Sequence, residues 1–106
     1  MSELKFESVS QDDLSCVSGG FSASQMPASA RWVMQHESGG RTNAKNPHST
    51  AFGAFQMIKA NRKHYQGAQW QSTDLGVQYA AASRYVKERY GSWDHAKAFW
   101  QRHHWY

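Results

Sequence analysis

The sequence RWVMQHESGG at residues 31–40 decides the predicted fold, because it combines a helical pattern with a clear helix end. Val33 and Met34 lie four and three residues before Glu37, which puts this carboxylate on or beside the apolar face of the helix. The two glycines that follow are typical of a helix C-terminus. Since a carboxylate in that position loses contact with water, we expect the pKa of Glu37 to be raised.

Loops and a second, short helix surround this segment. The first helix is predicted to begin with Pro27 at its first position or with Ser29 as its N-cap. Residues 41–49 are polar and predict a loop, after which a short helix is expected over residues 58–65. A second loop is expected over residues 66–73.

The clearest helical periodicity lies in the last third of the chain. Asp74 or Thr73 is expected to cap a long helix that ends at Gly91, and Ser92 to cap a final helix. The apolar positions of the long helix recur at spacings of three and four residues, at Leu75, Tyr79, Ala82, Val86 and Tyr90. The final helix is expected to turn four residues toward the core, namely Trp93, Ala96, Phe99 and Trp100.

Length and composition restrict the chain to one small domain. A chain of 106 residues has room for one domain and no more. No apolar run approaches the roughly 18 residues that a membrane-spanning helix needs, so no transmembrane segment is predicted. The one cysteine, Cys16, precedes the predicted domain. We therefore predict a mainly α domain with at most a short β-hairpin between residues 41 and 55.

Charge is distributed unevenly along the chain. Residues 1–20 contain four acidic residues and one basic residue, whereas residues 21–106 contain eleven Lys and Arg against four Asp and Glu, a net charge of +7. A domain with that charge is attracted to polyanions. Nucleic acid, an anionic membrane surface and a bacterial wall with anionic polymers would each satisfy it, although no nucleic-acid-binding motif is visible.

Residues 1–20 resemble the double-glycine leader of bacteriocins and peptide pheromones. The segment ends in Gly19-Gly20, and apolar residues precede the cut by four, seven, twelve and fifteen places, at Val17, Leu14, Val9 and Phe6. The resemblance implies that a leader-processing peptidase in an ABC transporter cleaves after Gly20 and exports residues 21–106. The alternative is a disordered tail that happens to contain two glycines.

Glu37 is the one carboxylate that the sequence favours for catalysis. Glycosidic bonds are usually cut by two carboxyl groups about 5 to 10 Å apart. The next acid, Asp74, lies beyond both loops and is expected to cap a helix. One acid suffices where the substrate supplies the nucleophile, as the 2-acetamido oxygen of N-acetylmuramic acid can, with the Glu acting first as acid and then as base. The alternative is a helix-terminal Glu with no catalytic role.

Three motifs resemble the lysozyme-like lytic transglycosylases. ESG at residues 37–39 and GAFQ at residues 53–56 look like the glutamate-serine motif and the glycine/glutamine motif of that group. YVKERYGSW at residues 85–93, with AKAFW at residues 96–100, is similar to the C-terminal domain of aggregation-promoting factors. Those factors, like resuscitation-promoting factors, belong to the lysozyme-like group. The resemblance covers residues 30–106, preceded by a polar N-terminal segment over residues 21–29.

The resemblance implies a small lysozyme-like domain and assigns its site residues. Glu37 is the implied catalytic acid, and the implied substrate-binding residues of the two motifs are Ser38, Gly53, Phe55 and Gln56. Phe55 stands where the group usually has an aliphatic residue. Tyr79 is the nearest counterpart of the tyrosine in a later tyrosine-asparagine motif, although no Asn follows it.

The tryptophans and histidines allow further roles. Aromatic residues at helical spacing favour a core position for Trp93, Trp100 and Tyr79, whereas Trp70, in its loop, is the better candidate for stacking on a sugar. His103 and His104 are adjacent, and no Cys or acid stands at ligand spacing nearby, so no metal site is predicted.

The sequence therefore predicts an enzyme that is secreted and wall-associated after leader cleavage. Its predicted substrate is peptidoglycan, whose glycan strands it cleaves between N-acetylmuramic acid and N-acetylglucosamine at the β-1,4 bond, by transglycosylation or by hydrolysis. No cofactor is expected, and anionic wall polymers are a further expected partner. The alternatives are a non-enzymatic peptidoglycan-binding or aggregation module of the same fold and a membrane-active bacteriocin.

Overall fold

The computed structural model describes residues 21–106, and four α-helices form most of that part. They are α1 (Ala28–Ser38), α2 (Lys59–Gln66), α3 (Leu75–Arg89) and α4 (Trp93–His103). This confirms a mainly helical small domain. The predicted leader and its cleavage at Gly19-Gly20 lie outside the described residues. Among the helices of residues 21–106, none has both the length and the apolar character needed to cross a bilayer.

Helix α1 begins and ends close to the predicted positions. Pro27 precedes the helix rather than forming its first turn. Ser29, the other predicted start, is not the N-cap, since that residue is Pro27. Ser29 is buried within the helix, and its hydroxyl donates a hydrogen bond to Asp94 at the start of α4. The predicted end is confirmed: Gly39 adopts a left-handed conformation (φ 66°), and its N–H donates to the carbonyl of Gln35.

Helices α3 and α4 are capped as the sequence predicts. A carboxylate oxygen of Asp74 accepts from the N–H of Val77 (2.9 Å), and the hydroxyl of Ser92 accepts from the N–H of His95 (3.1 Å). Helix α3 ends at Arg89, two residues before the predicted stop at Gly91. The short helix α2 lies one residue later than predicted, because Ile58 remains extended as its N-cap.

The segment between α1 and α2 contains turns rather than a hairpin. Two isolated antiparallel bridges, between Lys45 and Phe52 and between Phe52 and Met57, are its only β-structure. The polar residues of this segment do not alternate with apolar ones, so neither face of a strand pair would be buried. The segment is instead held by hydrogen bonds from buried side chains, which are described below.

The core lies where the helices meet the segment from 44 to 57. Helix α1 packs against α4, and α2 packs against α3. The core cluster combines small residues of α1 and α3 with larger side chains, namely Met26, Ala30, Met34, Ala54, Phe55, Met57, Ala81 and Ala82. The polar N-terminal segment belongs to the same packed unit, because Met26 is 3% exposed and the ring of Phe21 stacks on Tyr79 (5.2 Å between centroids).

Candidate active site

The carboxylate of Glu37 lies in the last turn of α1 and is partly buried. One of its oxygens accepts a hydrogen bond from the indole N–H of Trp100 in α4, at 2.6 Å. Burial raises the pKa of Glu37 above its usual value, while the Trp100 hydrogen bond and the charge of His36 oppose that rise. The raised pKa expected from the helical position of Glu37 is thus confirmed, and it favours a protonated acid over a wider range of pH.

Rings from α1 and α4 surround the Trp100 indole. Trp32 stacks on His36 (3.8 Å between centroids), and both rings meet the edge or face of Trp100, at 5.3 and 5.0 Å. His104 contacts the same indole at 5.3 Å. We call Trp32, His36, Trp100 and His104 the Trp100 cluster. Because the cluster joins both helices, it fixes the direction of the N–H that reaches Glu37.

The position of Trp100 corrects the sequence analysis. Trp100 was expected to turn toward the core, but it is partly exposed and points its N–H at the carboxylate. Trp93 and Tyr79, by contrast, do pack against the core cluster, as expected. Tyr79 stacks between Phe21 and Trp93, with centroids at 5.2 and 6.1 Å. The aromatic partner of Glu37 is therefore Trp100, and any contact of Tyr79 with substrate stays a prediction.

Ser38 follows Glu37 in the chain and is 4% exposed. Its hydroxyl is 2.7 Å from the carbonyl oxygen of Ala54, to which it donates, and it accepts from the N–H of Gly40 at 3.1 Å. These bonds tie the end of α1 to the segment that precedes α2. The contact of Ser38 with a substrate stays a prediction, whereas its observed bonds hold the turn that contains Glu37.

Gln56 has a left-handed backbone conformation (φ 52°), which is uncommon for a residue with a side chain. Its amide nitrogen donates to the carbonyls of Ala44 (3.0 Å) and Gly53 (2.8 Å), which closes the turn around it. Both amide hydrogens are thereby used, while the amide oxygen remains an acceptor. Gln56 is partly exposed, and its contact with a substrate stays a prediction.

Gln78 is a buried amide that the sequence analysis missed. Its oxygen accepts from the N–H of Ala54 (2.9 Å), and its nitrogen donates to the carbonyls of Thr42 (2.9 Å) and Ser72 (2.8 Å). One side chain of α3 thus holds three loop segments. The sequence could have indicated this buried position, because residue 78 lies three places after Leu75 and four before Ala82 on the apolar face of α3.

The room beside Gly53 is occupied by this amide. Gly53 has φ 91°, and a Cβ added there would lie 2.8 Å from the Gln78 amide nitrogen. The resemblance implies that Gly53 lines the substrate site, and the structure shows its close approach to Gln78. The role of Gly53 in substrate binding stays a prediction.

Phe55 and Tyr106 connect the glycine/glutamine segment to the last described residues. The Phe55 ring is 1% exposed and belongs to the core, while its carbonyl accepts from the hydroxyl of Tyr106 at 2.7 Å. Burial, and then the charge of Glu37, raise the pKa of Tyr106 well above its usual value. Tyr106 is thus a neutral neighbour of the carboxylate. Phe55 contributes to the site through its carbonyl, and any contact of its ring with substrate stays a prediction.

Trp70 lies in a separate groove of about 420 Å³. Phe52, Lys59 and Arg62 are among the residues that line this groove with Trp70, and neither Glu37 nor Trp100 lines it. We call it the Trp70 groove. The structure therefore does not bring Trp70 together with the residues around Glu37.

In the part of the chain that the structure describes, no three His, Cys, Asp or Glu side chains come together as a group that could hold a metal ion.

A scan against models of protein families, a search of curated proteins and a search of solved structures each found no match. The geometry around Glu37 is therefore the basis on which a function can be argued.

Proposed function

We propose that this protein is a small lysozyme-like enzyme that cleaves the β-1,4 bond between N-acetylmuramic acid and N-acetylglucosamine in peptidoglycan. Glu37 is its general acid and base. The observation on which the proposal depends is the partly buried carboxylate of raised pKa, held by the Trp100 N–H at 2.6 Å. Acids of raised pKa are suited to proton transfer near neutral pH.

The other acids of residues 21–106 support a mechanism with one carboxylate. Asp74 caps α3 through Val77, and Asp94 accepts from the Ser29 hydroxyl. Glu88 accepts from the hydroxyl of Tyr65 at 2.6 Å. Each of these three carboxylates thus has a structural partner in the fold, and Glu37 is the acid whose pKa burial raises.

The reaction uses a nucleophile from the substrate. Protonated Glu37 gives its proton to the glycosidic oxygen as the bond to the anomeric carbon breaks, and the 2-acetamido oxygen of N-acetylmuramic acid attacks that carbon. The Trp100 N–H stabilises the carboxylate that this step leaves behind. The carboxylate then accepts the proton of the 6-hydroxyl as its oxygen replaces the acetamido oxygen, which closes a 1,6-anhydro ring. Water in place of the 6-hydroxyl gives hydrolysis.

Export precedes this reaction in the proposal. Residues 1–20 act as a double-glycine leader that a peptidase in an ABC transporter removes, so the enzyme works outside the cell on the wall. Cell-wall lysis of competing bacteria is then the antibacterial role. The net charge of +7 over residues 21–106 supports association with an anionic wall.

The test is mass spectrometry of fragments released from purified peptidoglycan by the full chain, run beside Glu37→Gln. Fragments that end in 1,6-anhydromuramic acid, about 18 Da lighter than hydrolysed ones, are expected from the parent and not from Glu37→Gln. Glu88→Gln is the matched control, since it removes a paired carboxylate elsewhere and should leave fragment release intact. Equal release by the parent and Glu37→Gln would show that the site is assigned wrongly.

A non-enzymatic wall-binding module of the same fold is the second candidate. The Trp70 groove, with its basic residues, favours it. Wall binding without fragments from either the parent or Glu37→Gln would support this second function. Release of dye from protein-free liposomes would instead support a membrane-active bacteriocin.

A further inference from the structure

The Trp70 groove has the size and lining of a binding site for an extended ligand. The groove has a volume of about 420 Å³ and lies between the segment that follows α1, helix α2 and the turn at Trp70. The lining contains basic, polar and aromatic side chains and no acidic one, and it includes Lys45, Asn46, Ser49, Thr50, Phe52, Lys59, Arg62, Trp70 and Gln71.

Positive charge gathers around the Trp70 ring. The ammonium nitrogens of Lys63 and Lys59 lie 4.9 and 5.4 Å from its centroid, and the guanidinium carbon of Arg62 lies at 5.4 Å. Cations at such distances are attracted to the electron-rich face of an indole. Two lysines with exposed side chains therefore keep their ammonium groups near the ring, Lys59 in the lining of the groove and Lys63 outside it.

Arg62 adds a fixed charge beside the Trp70 ring. It is 7% exposed, and its nitrogens donate to the carbonyls of Met57 (3.0 Å), Trp70 (3.1 Å) and Thr50 (2.8 Å). All of these acceptors are neutral, so the charge of Arg62 is not cancelled by a carboxylate. Its field extends into the groove and strengthens the attraction for an anion.

We propose that the Trp70 groove binds a phosphodiester polymer of the bacterial wall, of the poly(glycerol phosphate) type, separately from the glycan at Glu37. Such a polymer has one negative charge in each repeat, which matches Lys45 and Lys59 in the lining of the groove and Lys63 beside its Trp70 ring. The identity of the polymer rests on the proposed function, because a wall enzyme meets such chains beside its substrate. The role of Trp70 is then to gather cations rather than to stack on a sugar.

The aromatic rings of the groove argue against nucleic acid as its occupant. Single-stranded nucleic acid binds where bases stack on open aromatic faces. Here Trp70 has three cations close to its ring, and Phe52 has the Arg62 guanidinium at 5.2 Å. A polymer without bases uses the charges and does not need the ring faces.

The test is the affinity of the full chain for end-labelled poly(glycerol phosphate), measured by fluorescence anisotropy at several salt concentrations. Lys59→Gln with Lys63→Gln should weaken binding about tenfold or more. It should also lower the slope of log affinity against log salt by about 1.4, taking about 0.7 per phosphate contact. Lys87→Gln with Arg102→Gln is the matched control, since both residues are exposed, neither lines the groove, and the net charge changes equally. Unlike Lys59 and Lys63, neither of them lies beside the Trp70 ring.

Each outcome of this experiment bears on the proposal. An equal loss in the two double variants would overturn it, because general charge would then explain the binding. Tighter binding of a single-stranded oligonucleotide of equal charge would overturn it in favour of nucleic acid. Polymer binding that depends on Lys59 and Lys63, in a protein that releases no fragments from peptidoglycan, would support the groove while overturning the proposed enzyme.

Discussion

Glu37 and Gln78 are both polar side chains of helices that pack on the core, yet their hydrogen bonding differs. The Gln78 amide is 4% exposed and makes three hydrogen bonds, to Ala54, Thr42 and Ser72. Within residues 21–106, the Glu37 carboxylate accepts one, from Trp100. The hydrogen-bonding atoms of the Gln78 amide are all paired within the fold, whereas one oxygen of the Glu37 carboxylate accepts no hydrogen bond from residues 21–106.

The difference follows from the chemistry of the two groups. An amide both donates and accepts, so one buried Gln can join several loops without a buried charge. An ionised carboxylate only accepts, and burial destabilises its charge, which is why the pKa of Glu37 is raised. Gln78 thus serves stability and Glu37 serves reactivity. Substitution of Gln78 should therefore change the free energy of unfolding, and substitution of Glu37 should change the reaction rate.

The largest expected effect is on the rate of Glu37→Gln. Removal of a general acid and base lowers rates by about 100- to 10,000-fold. The variant keeps the shape of the side chain, so it should fold like the parent. Initial rates of fragment release from peptidoglycan, with circular dichroism as the control for folding, measure this. A loss of less than tenfold would place the proton transfer elsewhere.

Gln78→Ala should have the opposite profile, with a large loss of stability. It leaves the buried N–H of Ala54 and two loop carbonyls without partners, at a combined cost of about 3 kcal/mol in the free energy of unfolding. Urea unfolding of the parent and the variant gives this difference. Gln101→Ala, at an exposed position of α4, is the control and should change stability by less than about 0.5 kcal/mol.

Gly53→Ala should destabilise the same junction, by about 2 kcal/mol or more. The positive φ of Gly53 disfavours a side chain, and the added Cβ would displace the Gln78 amide. The effect should be less than additive with that of Gln78→Ala, because both changes break the same bonds. A double-mutant cycle in urea checks this, and full additivity would mean that Gly53 acts independently of Gln78.

The main effect of Trp100→Phe should be on the pH dependence of activity. Loss of the indole N–H removes a bond that favours the ionised carboxylate, so the pKa of Glu37 rises further. The acid then stays protonated to higher pH, and the alkaline limb of the rate profile should move upward. Trp93→Phe is the matched control, because it loses a similar indole bond, to Ser83, away from Glu37. An unchanged limb in Trp100→Phe would contradict the role given to Trp100.

The smallest expected effect is a difference between Glu37→Gln and the parent in how their stability depends on pH. Because the folded-state pKa of Glu37 is raised, its favourable contribution is complete below the unfolded value of 4.5 and is lost as pH rises through the folded value. Glu37→Gln has no such loss. The stability of the variant relative to the parent should therefore increase between pH 4 and pH 7, as thermal unfolding can measure. A decrease over that range would mean that the carboxylate stabilises the fold when ionised.

The sequence correctly predicted the structural features that depend on residues close together in the chain. The caps at Asp74 and Ser92 and the end of α1 at Gly39 are local features, and the structure has all three. The direction of Trp100 depends on how α4 packs against α1, since 63 positions separate it from Glu37. Helical spacing marks Trp100 as apolar but cannot say whether its N–H finds an acceptor. The bonds of Gln78 were missed for the same reason.

The buried guanidinium of Arg62 has a consequence for local opening. Its three acceptors, at Thr50, Met57 and Trp70, belong to different stretches of the chain, which this one side chain joins. An opening that frees one of them leaves a buried cation short of a partner, which is costly. Hydrogen exchange in these turns is thus expected to be cooperative, so that a loop region poor in regular structure opens as a single unit.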